Sequence, residues 1–354
     1  MKGTHMQALT RYIETHRTNG LPGMVIGYQY GYADAVIHAY GTDGDNQPLH
    51  DNTLFPVASL TKLATALAIL VLVERGNLDL DHTIGTYVPD IHIDMGTRRV
   101  RSLLCHTSGY SLDLVNKDEL YAPGLTWSVL ANVCVHTPPQ YAAETCVQYS
   151  NIGYGILGII IERITGMSCS QAMHQLVLQP LGIAGMLGNP ETHTVATIGD
   201  VRGRHRGTDL ETFNSPFWRA LALPWGGLCT NAGGALALVD AFMPHSTFLA
   251  PQTRDAATQD HTNGLAGGFM APLMWQQSPW GLGVELRGHK QPHWMTSHFS
   301  AHSFGHSGSS GMLVWADPEY MFRIVICGTR AADSGWLLRH GPKLSALLWQ
   351  EVIQ

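Results

Sequence analysis

Apolar residues recur at helical spacing in Leu9, Tyr12 and Ile13, and Gly20 with Pro22 closes the pattern, so residues 7–18 predict an N-terminal helix. Two strand-like runs follow, GMVIGYQYG at 23–31 and AVIHAYG at 35–41, joined by a short turn at Asp34 as in a hairpin. Strand-forming sequence returns in WGLGVELRG (280–288), GMLVWADP (311–318) and FRIVICGT (322–329), ahead of a helix from about Gly335 to Val352. Between these ends, ILGIIIERITG (156–166), SQAMHQLVLQPLG (170–182) and GGALALVDAF (233–242) predict helices, each closing at or near Gly or Pro. The pattern predicts an α/β (α+β) chain. A sheet built from both termini, 7–82 plus 275–354, carries a mainly helical insert, 83–274, and a site is expected in the cleft between them.

The stretch FPVASLTKLATALAIL (55–70) departs from simple amphipathicity, because an almost wholly apolar helix opens with Ser59 and Lys62. Their i, i+3 spacing puts hydroxyl and amine on one face, within reach of each other. An apolar setting disfavours the ammonium, and a helix N-terminus offers N–H groups to a developing anion, so the pair fits an activated nucleophile. Taken alone, the same letters also fit a capping serine beside a solvated lysine.

Composition narrows the partners. Of 354 residues, 45% are apolar and 14% charged, the profile of a chain with a packed core, and the net charge of −6 comes without Lys/Arg runs. No footprint for nucleic acid or an anionic membrane is present, and no apolar stretch reaches the roughly 18 residues of a membrane span. Small-molecule substrates are expected, and the oligomeric state is left open. The opening MKGTHM reads as an expression scar over residues 1–5 with Met6 as the natural start, giving a cytoplasmic chain as it stands, or a periplasmic or secreted one if a leader was removed. Six scattered cysteines, none in a Cys-x-x-Cys pair, predict mostly buried thiols.

Two further stretches give Ser59 its context. Tyr149-Ser150-Asn151 precedes the apolar helix IGYGILGIII, and His306-Ser307-Gly308 is expected to open a Gly-rich turn into GMLVWADP. The order Ser-x-x-Lys, Tyr-x-Asn, then His-x-Gly before a terminal strand resembles the serine β-lactamase and penicillin-binding-protein superfamily, in particular its class C-like branch of DD-carboxypeptidases, D-aminopeptidases and carboxylesterases. LLCHTSGY (103–110), RGNLDLDHTIGTYVP (75–89) and YSNIGYGILGIIIERITGMS (149–168) carry the resemblance along the chain, whereas 185–275 aligns poorly.

The resemblance implies the β-lactamase/transpeptidase-like fold with an antiparallel sheet, and acyl transfer through acyl-Ser59 on small esters or D-configured amides. A class C-type β-lactamase, or a penicillin-binding sensor that acylates without turnover, is the alternative. Ser59, Lys62 and Tyr149 are the expected catalytic residues. Lys62 and Tyr149 each need a shift of roughly 3 pKa units, about 4 kcal/mol, to act as base near pH 7, and are expected to titrate as a pair. Asn151, His306, Ser307 and Gly308 are expected to contact substrate, with His306 facing a substrate carboxylate or the Tyr149 hydroxyl in a pH-sensitive way. The backbone N–H groups of Ser59 and Ser309 are expected to form the oxyanion hole.

Other constellations carry less. HKQPHWMTSHFSAHSFGH (289–306) holds five histidines, but no acidic or cysteine ligand lies between Glu285 and Asp317, so a polar loop is expected there and no metal. Gly-x-Ser-x-Gly is absent, and no dinucleotide or phosphate loop implies a cofactor. Trp225-Gly226-Gly227 predicts a turn at the cleft edge, and His106 a structural role.

Overall fold

Side chains alternate across the strands, and that alternation sets the layers. The computed structural model describes residues 6–17, 20–190 and 194–353, so the expected scar at 1–5 lies outside the described residues. Six antiparallel strands form the main sheet in the order Val36–Tyr40, Met24–Tyr30, Phe322–Gly328, Met312–Asp317, Phe304–Gly308 and Glu285–Leu286. Met24 faces Gly328 and Tyr30 faces Phe322, so strands from the two ends of the sequence pair at the sheet's middle.

Met24, Ile26, Leu313, Trp315, Ile324 and Ile326 point to one face, where Leu9 and Ile13 of helix Gln7–Arg17 and Trp336, Leu344 and Leu348 of helix Trp336–Ile353 cover them. Val25, Met312, Val314, Val325 and Cys327 point to the other, where helix Ala232–Asp240 packs on the strands, and share one core with Leu63, Leu67 and Leu70 of helix Thr61–Glu74. Thr61 to Leu72 are all buried, as expected of a helix apolar on every side. The fold is the expected mixed one, with helices on both faces of an antiparallel sheet.

Helix Asn151–Thr165 lies against Thr61–Glu74. Ser150 caps its start by accepting from the Gly153 N–H, and Gly166 ends it at φ +68, in the left-handed region. Close packing rests on small residues, since a Cβ at Gly158 would stand 2.3 Å from Pro224 Cγ.

Two expected elements change. The run 280–288 pairs with the sheet only at Glu285–Leu286, because Gly283, at φ +102, passes so close to helix Thr61–Glu74 that a Cβ would lie 2.1 Å from the Ala66 Cβ. His306-Ser307-Gly308 opens no turn. It lies within strand Phe304–Gly308, between Met312–Asp317 and Glu285–Leu286, and the turn follows it, with Gly311 at φ +95. The middle of the chain also contains strands: Leu228–Thr230 joins Phe55–Pro56 and Gly185–Leu187, and Val147–Gln148 joins Gly267–Gly268. Among the described residues, no single helix is long and apolar enough to cross a membrane.

Candidate active site

Ser59 sits in a tight turn, Ala58–Leu60, that runs directly into helix Thr61–Glu74. Ala58 is held at φ +47, a left-handed conformation that costs a residue with a Cβ about 1–2 kcal/mol. The neighbouring bonds hold it there: Thr61 Oγ1 donates to Ala58 O (2.6 Å) and accepts from Leu228 N (3.0 Å), while Val57 N donates to Leu228 O (2.9 Å). The turn leaves Ser59 partly exposed while Lys62, one helical turn on, is fully buried.

Lys62 Nζ lies 3.3 Å from Ser59 Oγ, 2.8 Å from Asn151 Oδ1 and 3.0 Å from the Trp225 carbonyl. Each of these partners is neutral. Burial therefore holds the amine well below its ordinary range, and Asp113, which reaches it only across Asn151 Nδ2 (3.4 Å), opposes that shift in part. Nζ donates to each of these three oxygens.

Tyr149 precedes the capping residue of the second helix. Its N–H donates to Gly268 O (3.0 Å), and its ring stacks between His106 and Phe269, with centroids 4.4 Å away in each case. His106, itself left-handed at φ +61, accepts from Ser150 N at Nδ1 (3.1 Å), so it holds the loop as expected. Lys62 Nζ stands 4.7 Å over the face of the Tyr149 ring. Burial acts on the two in opposite directions: it raises the Tyr149 phenol, offset in part by the Ser59 hydroxyl, and lowers Lys62.

The third segment reaches the site from the sheet. A Cβ at Gly308 would lie 2.5 Å from the Val57 carbonyl, so glycine lets this strand close on the Ser59 turn. Ser309, next along, is exposed. Among the described residues, the N–H groups of Ser59 and Ser309 find no acceptor in the chain. His306 is fully buried, its ring 5.9 Å from that of Tyr149, with Nδ1 on the Ser307 carbonyl (2.6 Å). Burial pushes it down to about 4, so the expected titration near neutrality is corrected: this ring is neutral at pH 7.

Ser59, Lys62, Tyr149, Asn151, His306 and Gly308 thus converge from three distant stretches of sequence. The beta-lactamase family matches residues 9–335. The chain belongs to that family. As one of its serine hydrolases, it is 27% identical over 271 residues to a beta-lactamase of Providencia stuartii, a match covering 73% of this chain and 65% of that protein. EstCE1, described as a hydrolase with promiscuous acyltransferase activity, shares the fold with a TM-score of 0.77 at 18% identity, covering 97% of this chain and 99% of that one. A D-amino acid amidase of Ochrobactrum anthropi does so at 0.74 and 19%, covering 98% of each chain.

Within this beta-lactamase-family frame the structure adds groups whose contacts with the site's lysine or amide could not be read in the sequence. The Trp225 carbonyl is one, fixed to helix Thr61–Glu74 beside Pro224 O, which accepts from Thr65 Oγ1 at 2.6 Å. Asp113 is another, placed by Lys117 (2.9 Å) two residues after Ser111, whose carbonyl holds Ser150 Oγ. A backbone contact leaves no side-chain signature, and Asp113 lies in no motif. The stretch expected to be a polar loop leaves His289, His298 and His302 exposed but buries Lys290 and His293: Lys290 Nζ donates to Glu285 Oε1 (3.0 Å) and Pro279 O (3.1 Å), and His293 Nε2 lies 3.5 Å from the same carboxylate. No cluster of metal-ligating side chains is present among the described residues.

Proposed function

We propose that this chain hydrolyses small esters or D-configured amides through an acyl-Ser59 intermediate, at the junction of the sheet-bearing segments 7–82 and 275–354 with the insert 83–274. The observation that carries the reading is the setting of Lys62, a buried amine with neutral partners only and 3.3 Å from Ser59 Oγ. Such an amine is a competent base near neutral pH.

Lys62 takes the Ser59 proton as Oγ adds to the substrate carbonyl. The oxyanion accepts hydrogen bonds from the N–H groups of Ser59 and Ser309. Collapse breaks the bond to the leaving group, which takes its proton from the Tyr149 hydroxyl, and the Lys62 ammonium returns a proton to Tyr149. Asn151, fixed by Lys62 and Asp113, orients the substrate's acyl side. Water repeats the sequence on the acyl-enzyme and releases the acid, so the sum is ester or amide plus water giving acid plus alcohol or amine.

Ser59→Ala abolishes turnover of p-nitrophenyl esters and removes the mass adduct formed with a fluorophosphonate. Undiminished turnover by that variant overturns the reading. Intact mass after one equivalent of a β-lactam separates the alternatives: rapid return to the free mass marks a β-lactamase, and a lasting adduct marks a sensor.

A further inference from the structure

The leaving group of an acyl-Ser59 reaction meets its proton donor, so the surroundings of Tyr149 define what that group can be. Two features meet there. The first is apolar: Phe269 stacks on the Tyr149 ring, and partly exposed Leu112 and Leu265 pack on the same cluster of Cys105, Val147, Tyr149 and Trp280. Phe269 is held in place by the glycines before it, since a Cβ at Gly267 would lie 1.9 Å from the Val147 carbonyl and one at Gly268 2.2 Å from Leu273 O. Met270, next along, is 59% exposed.

The second feature is electrostatic. Among the described residues, the basic side chains named here are each engaged by groups of the protein. Lys62 is on Ser59, Asn151 and Trp225; Lys290 is on Glu285 and Pro279 O, between the faces of Trp275 and Trp280; Arg287 is on the Lys290 carbonyl. Arg98 donates to the carbonyls of Ser108 and Tyr141, and Lys117 pairs with Asp113. The third segment presents His306, whose Nδ1 is taken by Ser307 O and whose ring is neutral. A carboxylate brought beside Tyr149 loses its hydration and, among the described residues, finds the neighbouring basic side chains already bonded to groups of the protein.

We propose that the site selects substrates with an uncharged, apolar leaving group and discriminates against leaving groups that carry a carboxylate, with Phe269 and His306 as the residues that set this preference. The inference rests on the acyl-Ser59 reading and names the substrate class within it.

The test compares 3-acetoxybenzamide with 3-acetoxybenzoic acid, which differ only in the charge of the leaving group, with each kcat/KM divided by the rate of alkaline hydrolysis. The amide is expected to be favoured by about tenfold or more. Equal rates, or a preference for the acid, overturn the inference while acylation of Ser59, followed by intact mass, leaves the underlying reading standing. Absence of any adduct on Ser59 with either ester overturns both. Two variants assign the residues. Phe269→Ala raises KM for the amide and not for the acid, and His306→Lys, which supplies a cation, narrows the preference from the other side. A preference that neither variant moves removes the two residues from the proposal, and the wild-type comparison stands even if His306→Lys fails to fold.

Discussion

Lys62 and Lys290 are both buried, and each lies against two aromatic faces: Tyr149 and Tyr154 at 4.7 and 5.4 Å for Lys62, Trp275 and Trp280 at 4.7 and 5.2 Å for Lys290. Their polar partners differ. Lys290 has a carboxylate in contact, and that carboxylate, Glu285, is itself held near 2 because Lys290 and His293 outweigh the upward push of burial. Lys62 has only oxygens without charge. Burial lowers both amines, yet only for Lys290 does a direct ion pair oppose it. One sequence thus sets one buried lysine against a carboxylate and another against neutral oxygens, and the difference is one carboxylate.

Exchanging the roles gives the largest expected effects. Lys62→Met lowers kcat/KM for a p-nitrophenyl ester by about 10³-fold and changes folding stability by no more than about 1 kcal/mol, because a desolvated amine gives way to a side chain suited to its surroundings. Lys290→Met does the reverse. It leaves a buried carboxylate without its cation and costs about 3–5 kcal/mol of stability, read by urea unfolding, while kcat/KM falls by less than about tenfold. Adding Glu285→Gln to Lys290→Met recovers part of that loss. A large stability loss from Lys62→Met, with activity kept, breaks the comparison.

Acid unfolding sharpens it further. His293 and His306 are both pushed down to about 4, so between pH 6.5 and 4 the unfolded chain binds protons that the folded chain refuses, and stability falls as pH drops through that window. Each histidine contributes up to about 3 kcal/mol to this slope. Glu285, held near 2, adds a loss of the same sign below about pH 4.5, where the unfolded carboxylate protonates first. Tm measured from pH 7 to 4 should fall throughout, with a shallower slope in His306→Gln. A flat profile contradicts neutral burial of these rings.

The smallest effect concerns Asp113, whose charge favours the Lys62 ammonium from beyond Asn151. Asp113→Asn removes that influence, lowers the Lys62 pKa, and moves the acid limb of the kcat/KM profile to lower pH by a few tenths of a unit to about one unit. A shift to higher pH contradicts the role given to Lys62.

Much of this was legible because short-range chemistry writes itself into spacing. Ser59 and Lys62 share a helix face at i, i+3, the hairpin and two of the late strands show as apolar runs, and Tyr149 and Asn151 flank the capping serine. Strand Phe304–Gly308 was missed because FGHSG, with two glycines and two polar residues, has none of a strand's apolar pattern; its place in the sheet comes from neighbours on both sides. The run expected to be a polar loop buries Lys290 and His293 because the carboxylate of Glu285 lies against both, a contact that residue type alone does not announce. The titration of His306 was misjudged for the same reason: residue type gives a reference pKa, and burial sets the real one.

The pairing of Met24–Tyr30 with Phe322–Gly328 has a consequence for the order of assembly. Residues some three hundred positions apart must meet before the sheet closes, and such long-range pairing is slow. Strand Phe304–Gly308, which closes on the Ser59 turn, lies late in the same chain. A growing polypeptide therefore carries its serine and lysine for most of synthesis without the strand that completes their surroundings, and hydrolytic competence arrives with the final turns of the fold.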